Sequence, residues 1–119
     1  MRIMKAANNI ELIVTRDFSK TPGPRYEDEG NFSGKRFREE CLLPRFKEAL
    51  KKGWGLTVDL DGTAGYGTSF LEEAFGGLIR NEKLSLKDIQ RTIHFKSEEE
   101  PYLIDDINKY MEDAENERQ

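Results

Sequence analysis

LTVDLDGTAGYGTSFLEEAFGGLIR, residues 56–80, decides the fold. Three patterns follow one another in it. Over 56–61 the apolar residues alternate, with Leu56, Val58 and Leu60 on one side and Thr57, Asp59 and Asp61 on the other, the period of a half-buried strand. Gly62, Gly65 and Gly67 then interrupt any regular pattern. From Ser69 the period becomes helical: Phe70, Leu71, Ala74, Phe75, Leu78 and Ile79 fall on one face. Ser69 and Glu72 have capping-box spacing, which predicts Ser69 as the N-cap. Glu72 and Glu73 in the first turn and Arg80 at the end suit the helix dipole. Gly76 and Gly77 cost helix propensity, so a close neighbour is expected there.

Strand, glycine-rich turn and helix together present two hydroxyls, Thr68 and Ser69, beyond the carboxyl end of a strand, where open α/β sheets commonly bind ligands and partners. The plainer reading makes Ser69 only a cap and Thr68 only a turn residue.

DLDGTAGYGTSFL (59–71) resembles the strand–loop–helix of STAS domains, the anti-sigma-factor-antagonist fold. Laid on without gaps, Thr68 takes the place of the serine phosphorylated in such proteins, and Ser69 and Leu71 take the next serine and the leucine. Gly67 stands where those domains carry Asp, and Phe70 where they carry Gly. FSGKRFRE (32–39) and TSFLEEAFGGL (68–78) resemble a STAS-like subfamily of unknown function, often encoded beside or fused to histidine-kinase-like ATPases. The resemblance covers most of residues 25–80. It implies a non-enzymatic regulatory module that binds an anti-sigma-like or histidine-kinase-like ATPase partner. The implied surface is Gly65, Tyr66, Gly67, Thr68, Ser69, Glu72 and Glu73, and Thr68 or Ser69 is the phosphoacceptor. Arg36 joins that surface from the basic segment.

Composition bounds the remaining choices. At 119 residues the chain is expected to form a single domain, residues 1–119, long enough for a modest core. A net charge of -4 argues against nonspecific nucleic-acid binding. One cysteine, Cys41, excludes an internal disulfide and points to a reducing, cytoplasmic setting. MRIMKAANNIELIV has no sustained apolar run, so neither a signal peptide nor a membrane span is expected.

Upstream, residues 9–18 alternate and predict a strand, SKTPGP (19–24) a turn, and 25–29 a short return strand. Ser33 is placed to cap a helix that Phe37, Cys41, Leu42, Phe46 and Leu50 continue to Lys52, with Gly53 as its stop. Pro44 should kink or split it. Lys35, Arg36 and Arg38 in its first turn oppose the dipole, which suggests that they hold an anion or an acidic partner; a solvated face is the alternative. Downstream, Ser85 and Asp88 have cap spacing, 91–96 predicts a strand, and Pro101 leads a helix with Leu103, Ile104, Ile107, Tyr110, Met111 and Ala114 on its apolar face. ENERQ, at the end, is expected to fray.

The expected fold is therefore α/β, a STAS-like mixed four-stranded sheet with helices packed mainly on one face. Leu56, Val58, Leu60, Phe75, Leu78, Ile93 and Ile107 should share its core. A different chemistry is also open: a small nucleotide- or metal-binding enzyme using Asp59, Asp61 and His94. A structural subunit of a defence or mobile-element complex is a third reading. No third metal ligand accompanies the two aspartates, GTAGYG is not a P-loop, and neither a cofactor nor a metal is expected.

Overall fold

The computed structural model describes residues 8–118. The order is β1 (Asn9–Ile13), α1 (Val14–Asp17), a 3₁₀ turn (Glu27–Glu29), α2 (34–52), β2 (Gly55–Asp59), α3 (68–80), α4 (Leu86–Thr92), β3 (Ile93–Lys96) and α5 (Tyr102–Glu117). Among the described residues the sheet has three strands in the order β1-β2-β3, all parallel. Leu12, Val58 and Phe95 lie in register, as do Glu11, Thr57 and His94.

The four-stranded, mixed expectation is thus corrected. The segment expected as a return strand spends its main chain elsewhere. The Pro24 and Arg25 carbonyls accept the Gly34 and Lys35 N–H groups at 2.8 and 3.1 Å, so they cap α2 rather than pair in a ladder. β1 is also shorter than expected, because the chain turns helical at Val14. The Asp17 carboxylate accepts the outward-facing Ile13 N–H at 2.9 Å, a local bond that holds this helical turn against the end of the strand.

The sheet is two-faced. Leu12, Leu56, Val58 and Ile93 are buried with Phe75, Leu78, Ile107 and Met111 in one cluster, while Glu11, His94 and Lys96 are exposed on the other side. All seven residues expected to share the core do so, Leu60 among them.

Both long crossover helices widen where they meet. α2 is α-helical over Gly34–Phe37, π-helical over Arg38–Leu42 and α-helical again over Leu43–Lys52. The Leu43 N–H reaches back to the Arg38 carbonyl, and Pro44, which has no N–H to donate, follows at once; the expected break is this wide turn. α3 is α-helical over Thr68–Leu71, π-helical over Glu72–Gly76 and α-helical over Gly77–Arg80. Its wide turn coincides with a side-chain donor entering the helix ladder, since Arg38 Nη1 donates to the Glu73 carbonyl at 2.6 Å. Close approach is why glycine is needed on these helices. A Cβ at Gly34 would lie 2.5 Å from the Phe70 carbonyl oxygen, and one at Gly77 would overlap the Arg38 guanidinium.

Ser33 Oγ accepts the Arg36 N–H at 3.0 Å and Ser85 Oγ the Asp88 N–H at 3.2 Å, so both expected caps form. Residues 115–118 are tied down rather than frayed, with α5 running to Glu117 and Arg118 donating to the Leu84 carbonyl at 3.0 Å; Gln119 lies outside the described residues.

Candidate functional site

In a parallel sheet every strand ends on the same side, so the loops after β1, β2 and β3 gather at one edge. The loop after β2 is built from within. Gly65 has φ +132, a backbone angle that L side chains rarely adopt, and its N–H donates to Thr63 Oγ1 at 3.2 Å. The Ala64 N–H donates to the Lys20 carbonyl at 2.8 Å, fastening this loop to the one after β1. The Tyr66 hydroxyl donates to the Leu60 carbonyl at 2.8 Å, and its ring packs beside Phe70. Burial pushes the Tyr66 phenol pKa well up, so it stays protonated. Tyr66 is therefore a buttress under the loop, with its hydroxyl already committed.

The loop delivers Thr68 and Ser69 to the surface, and both are exposed. The expected cap is corrected here. α3 begins at Thr68, its N-cap is Gly67, and no side chain caps it. Ser69 lies inside the first turn, so its hydroxyl is not spent on the helix end.

Glu72 and Glu73 were expected beside the hydroxyls on a partner-facing surface. Glu73 is instead buried, 2% exposed. Its carboxylate accepts from Arg38 Nη1 at 2.7 Å on one oxygen and from Arg25 and Arg80 at 3.4 and 3.3 Å on the other. Glu72 is half-buried and takes Arg25 Nη1 at 2.6 Å and Arg80 Nη1 at 2.7 Å. Burial pushes the Glu72 carboxyl up, but the Arg80 and Arg25 hydrogen bonds outweigh it and leave the pKa below the usual value. Arg38 Nε donates to Glu82 at 3.0 Å, which completes a lattice of three arginines and three glutamates.

The basic first turn of α2 resolves into three fates. Arg38, 1% exposed, holds an acidic partner, and that partner is Glu73 of the same chain. Lys35 and Arg36 stay nearer the surface and pair with Glu39 and Glu40 one turn on; Arg36 also lies 5.1 Å from the Phe32 ring centre. Arg25, which links the loop before α2 to α3, is the residue that spacing alone did not single out. Its only signal was a lone cation beside the Pro22-Gly23-Pro24 turn.

The three residues of the enzymatic alternative do not converge. Asp59 accepts the Asp61 N–H at 3.0 Å and lies 3.7 Å from Lys96. Asp61 accepts the Glu98 and Glu99 N–H groups, each at 3.0 Å, bonds that hold its carboxyl below the usual range, the Glu99 bond foremost. His94 stands in register with Thr57, and Lys96 is the residue opposite Asp59. Among the described residues no group of three or more His, Cys, Asp or Glu side chains is placed to hold a metal ion. Cys41 is buried, and burial raises its thiol pKa, the state of an inert core thiol. No helix among the described residues is long and apolar enough to cross a membrane.

A parallel sheet with a glycine-rich loop that sets hydroxyls at a helix start defines a small α/β domain. Residues 33–103, more than half of the chain, match the family model of the STAS-like domain of unknown function (DUF4325), and the chain belongs to that family. No curated protein and no solved structure gives a significant match.

Proposed function

We propose that the chain is a non-enzymatic regulatory module that binds a protein partner, of the histidine-kinase-like ATPase or anti-sigma type, through residues 65–69 and the exposed start of α3. One observation carries this reading: Thr68 and Ser69 are both exposed, and neither hydroxyl caps the helix they begin. Free hydroxyls at a partner surface are positions where a phosphate adds charge without removing a core contact. Thr68 is the primary acceptor and Ser69 the alternate. Gly65, Gly67 and Glu72 shape the surface around them, with Arg36 at its margin. The module works as a single domain in the reducing cytoplasm, where its one buried thiol remains unpaired.

The test uses a purified histidine-kinase-like ATPase from the same genome, with radiolabelled ATP, against wild type, Thr68→Ala and Ser69→Ala. Label on the wild type that is lost in one alanine variant is expected. A parallel pull-down with Thr68→Glu and Ser69→Glu should show weaker capture, while thermal unfolding is unchanged. Equal capture of all three proteins would remove this loop from the interface.

A further inference from the structure

Resting on the reading of Thr68 and Ser69 as acceptors, we infer that Arg25 is a latch. A phosphate on Ser69 draws its guanidinium off Glu72 and is tied down within the chain, whereas a phosphate on Thr68 stays free for the partner. The covalent step is the one a kinase supplies: Ser69 Oγ takes the γ-phosphoryl group of ATP, ADP leaves, and the hydroxyl proton passes to the kinase. What Arg25 decides is the fate of the new charge.

Arg25 can leave the lattice without orphaning a carboxylate. Its Nη1 donates to Glu72 at 2.6 Å and reaches Glu73 at 3.4 Å. Without it, Glu72 keeps Arg80 Nη1 at 2.7 Å, and Glu73 keeps Arg38 at 2.7 Å and Arg80 at 3.3 Å. Arg38 has no such freedom: it is buried, and Glu82 has no other cation among the described residues. Arg80 is also replaceable, but it lies about three turns beyond Ser69 along α3. Arg25 stands closer. Its carbonyl accepts the Lys35 N–H at 3.1 Å, and the adjoining Gly34 packs on the carbonyl of Phe70, the residue after Ser69. Its side chain is 31% exposed, so it has room to turn.

Helical spacing selects Ser69 over Thr68. Residues three and four apart share a face of a helix. Ser69 has that relation to both Glu72 and Glu73, the pair that Arg25 bridges, whereas Thr68 has it to Glu72 alone. A phosphate on Ser69 therefore stands one turn from the guanidinium, on the stripe that Arg25 already binds. There it faces two carboxylates, and like charges at this spacing repel, so it needs a cation. A phosphate near neutral pH carries more charge than a carboxylate and offers three acceptor oxygens, which suit the fork of an arginine. Arg25 meets that need at small cost, because the glutamates it leaves are still paired.

The whole chain, made with a genetically encoded phosphoserine at position 69 or phosphothreonine at position 68, serves as the probe without any kinase. Phosphorus NMR follows the second ionisation of the phosphate, near pH ~6. A guanidinium bound to the dianion favours it and lowers the midpoint. With the phosphate on Ser69, Arg25→Gln should raise that midpoint by about half a unit or more, and Arg25→Lys, which keeps the charge and loses the fork, by less. With the phosphate on Thr68, Arg25→Gln should move it less than half as far. In the phosphorylated chain that keeps Arg25, the Arg25 Nε–H signal should follow the phosphate titration while that of Arg38 does not. This signal decides alone if Arg25→Gln does not fold. An equal midpoint with and without Arg25, or an Arg25 signal that ignores the phosphate, would overturn the latch. Equal shifts at the two positions would overturn the choice of Ser69. No kinase or partner takes part, so a negative labelling or pull-down result leaves this outcome standing, and an unshifted midpoint leaves partner binding standing.

Discussion

α2 and α3 begin alike in sequence and differently in structure. Each starts with a hydroxyl residue, Ser33 before α2 and Thr68-Ser69 at α3. Ser33 is buried and spends its Oγ on the Arg36 N–H, and two further N–H groups of that first turn bond to the Pro24 and Arg25 carbonyls. At α3 the N-cap is a glycine, no side chain closes the turn, and both hydroxyls face solvent. A helix start whose hydroxyl is buried and bonded is part of the scaffold. One whose hydroxyls are exposed and unspent, on a helix otherwise locked in place, is free for an intermolecular task. The locking is done one turn further on, where Arg38 and Glu73 meet between the two wide turns.

That contrast breaks first at the lock. Arg38→Ala leaves Glu73 buried without its closest cation, and removal of one partner of a buried pair costs about 3–5 kcal/mol. Chemical denaturation should show this loss. A cost near that of an exposed ion pair, roughly 0–1 kcal/mol, would mean the lattice is not what holds α2 against α3. The next effect is smaller and compares the two starts directly. Ser33→Ala should cost about 1 kcal/mol, the usual value of a lost N-cap, whereas Ser69→Ala should stay within about 0.5 kcal/mol of wild type. Equal losses at the two sites would erase the distinction between them.

Much of the scaffold was legible because it depends on local period and local caps. Alternation at 56–61, the apolar face of α3 and the caps at Ser33 and Ser85 need only neighbours in sequence. What sequence did not reveal depends on partners far along the chain. Arg38 meets Glu73 thirty-five residues away, and no spacing rule within α2 or α3 encodes that pairing. Spacing also suggested two residues of α3 wrongly. S-x-x-E fits Ser69 and Glu72, but Glu72 is drawn to Arg25 and Arg80, and the helix begins at Thr68, with Gly67 as its N-cap. The missing fourth strand has a similar cause: the return strand expected at 25–29 yields to the demand of the α2 start for the Pro24 and Arg25 carbonyls.

The smallest expected effect sharpens the comparison most, because it converts one helix start into the other. Gly67 has φ -76 and ψ 153, a conformation open to any residue, and a Cβ built on it would meet nothing within 4 Å. Nothing in the backbone therefore requires glycine there. Gly67→Asp places at the N-cap the residue that STAS domains carry in this position. Its carboxylate can accept an N–H of the first turn and sits at the positive end of the helix dipole. Replacing a glycine at a compatible backbone angle also narrows the unfolded ensemble. Together these should raise stability by about 0.5–1 kcal/mol, read as a higher denaturation midpoint with an unchanged slope. The same variant should keep Thr68 and Ser69 exposed, since the new bond goes to the main chain. A lower midpoint would show that the α3 start does not accept a cap, and that its open form is built into the loop rather than left by the absence of a side chain.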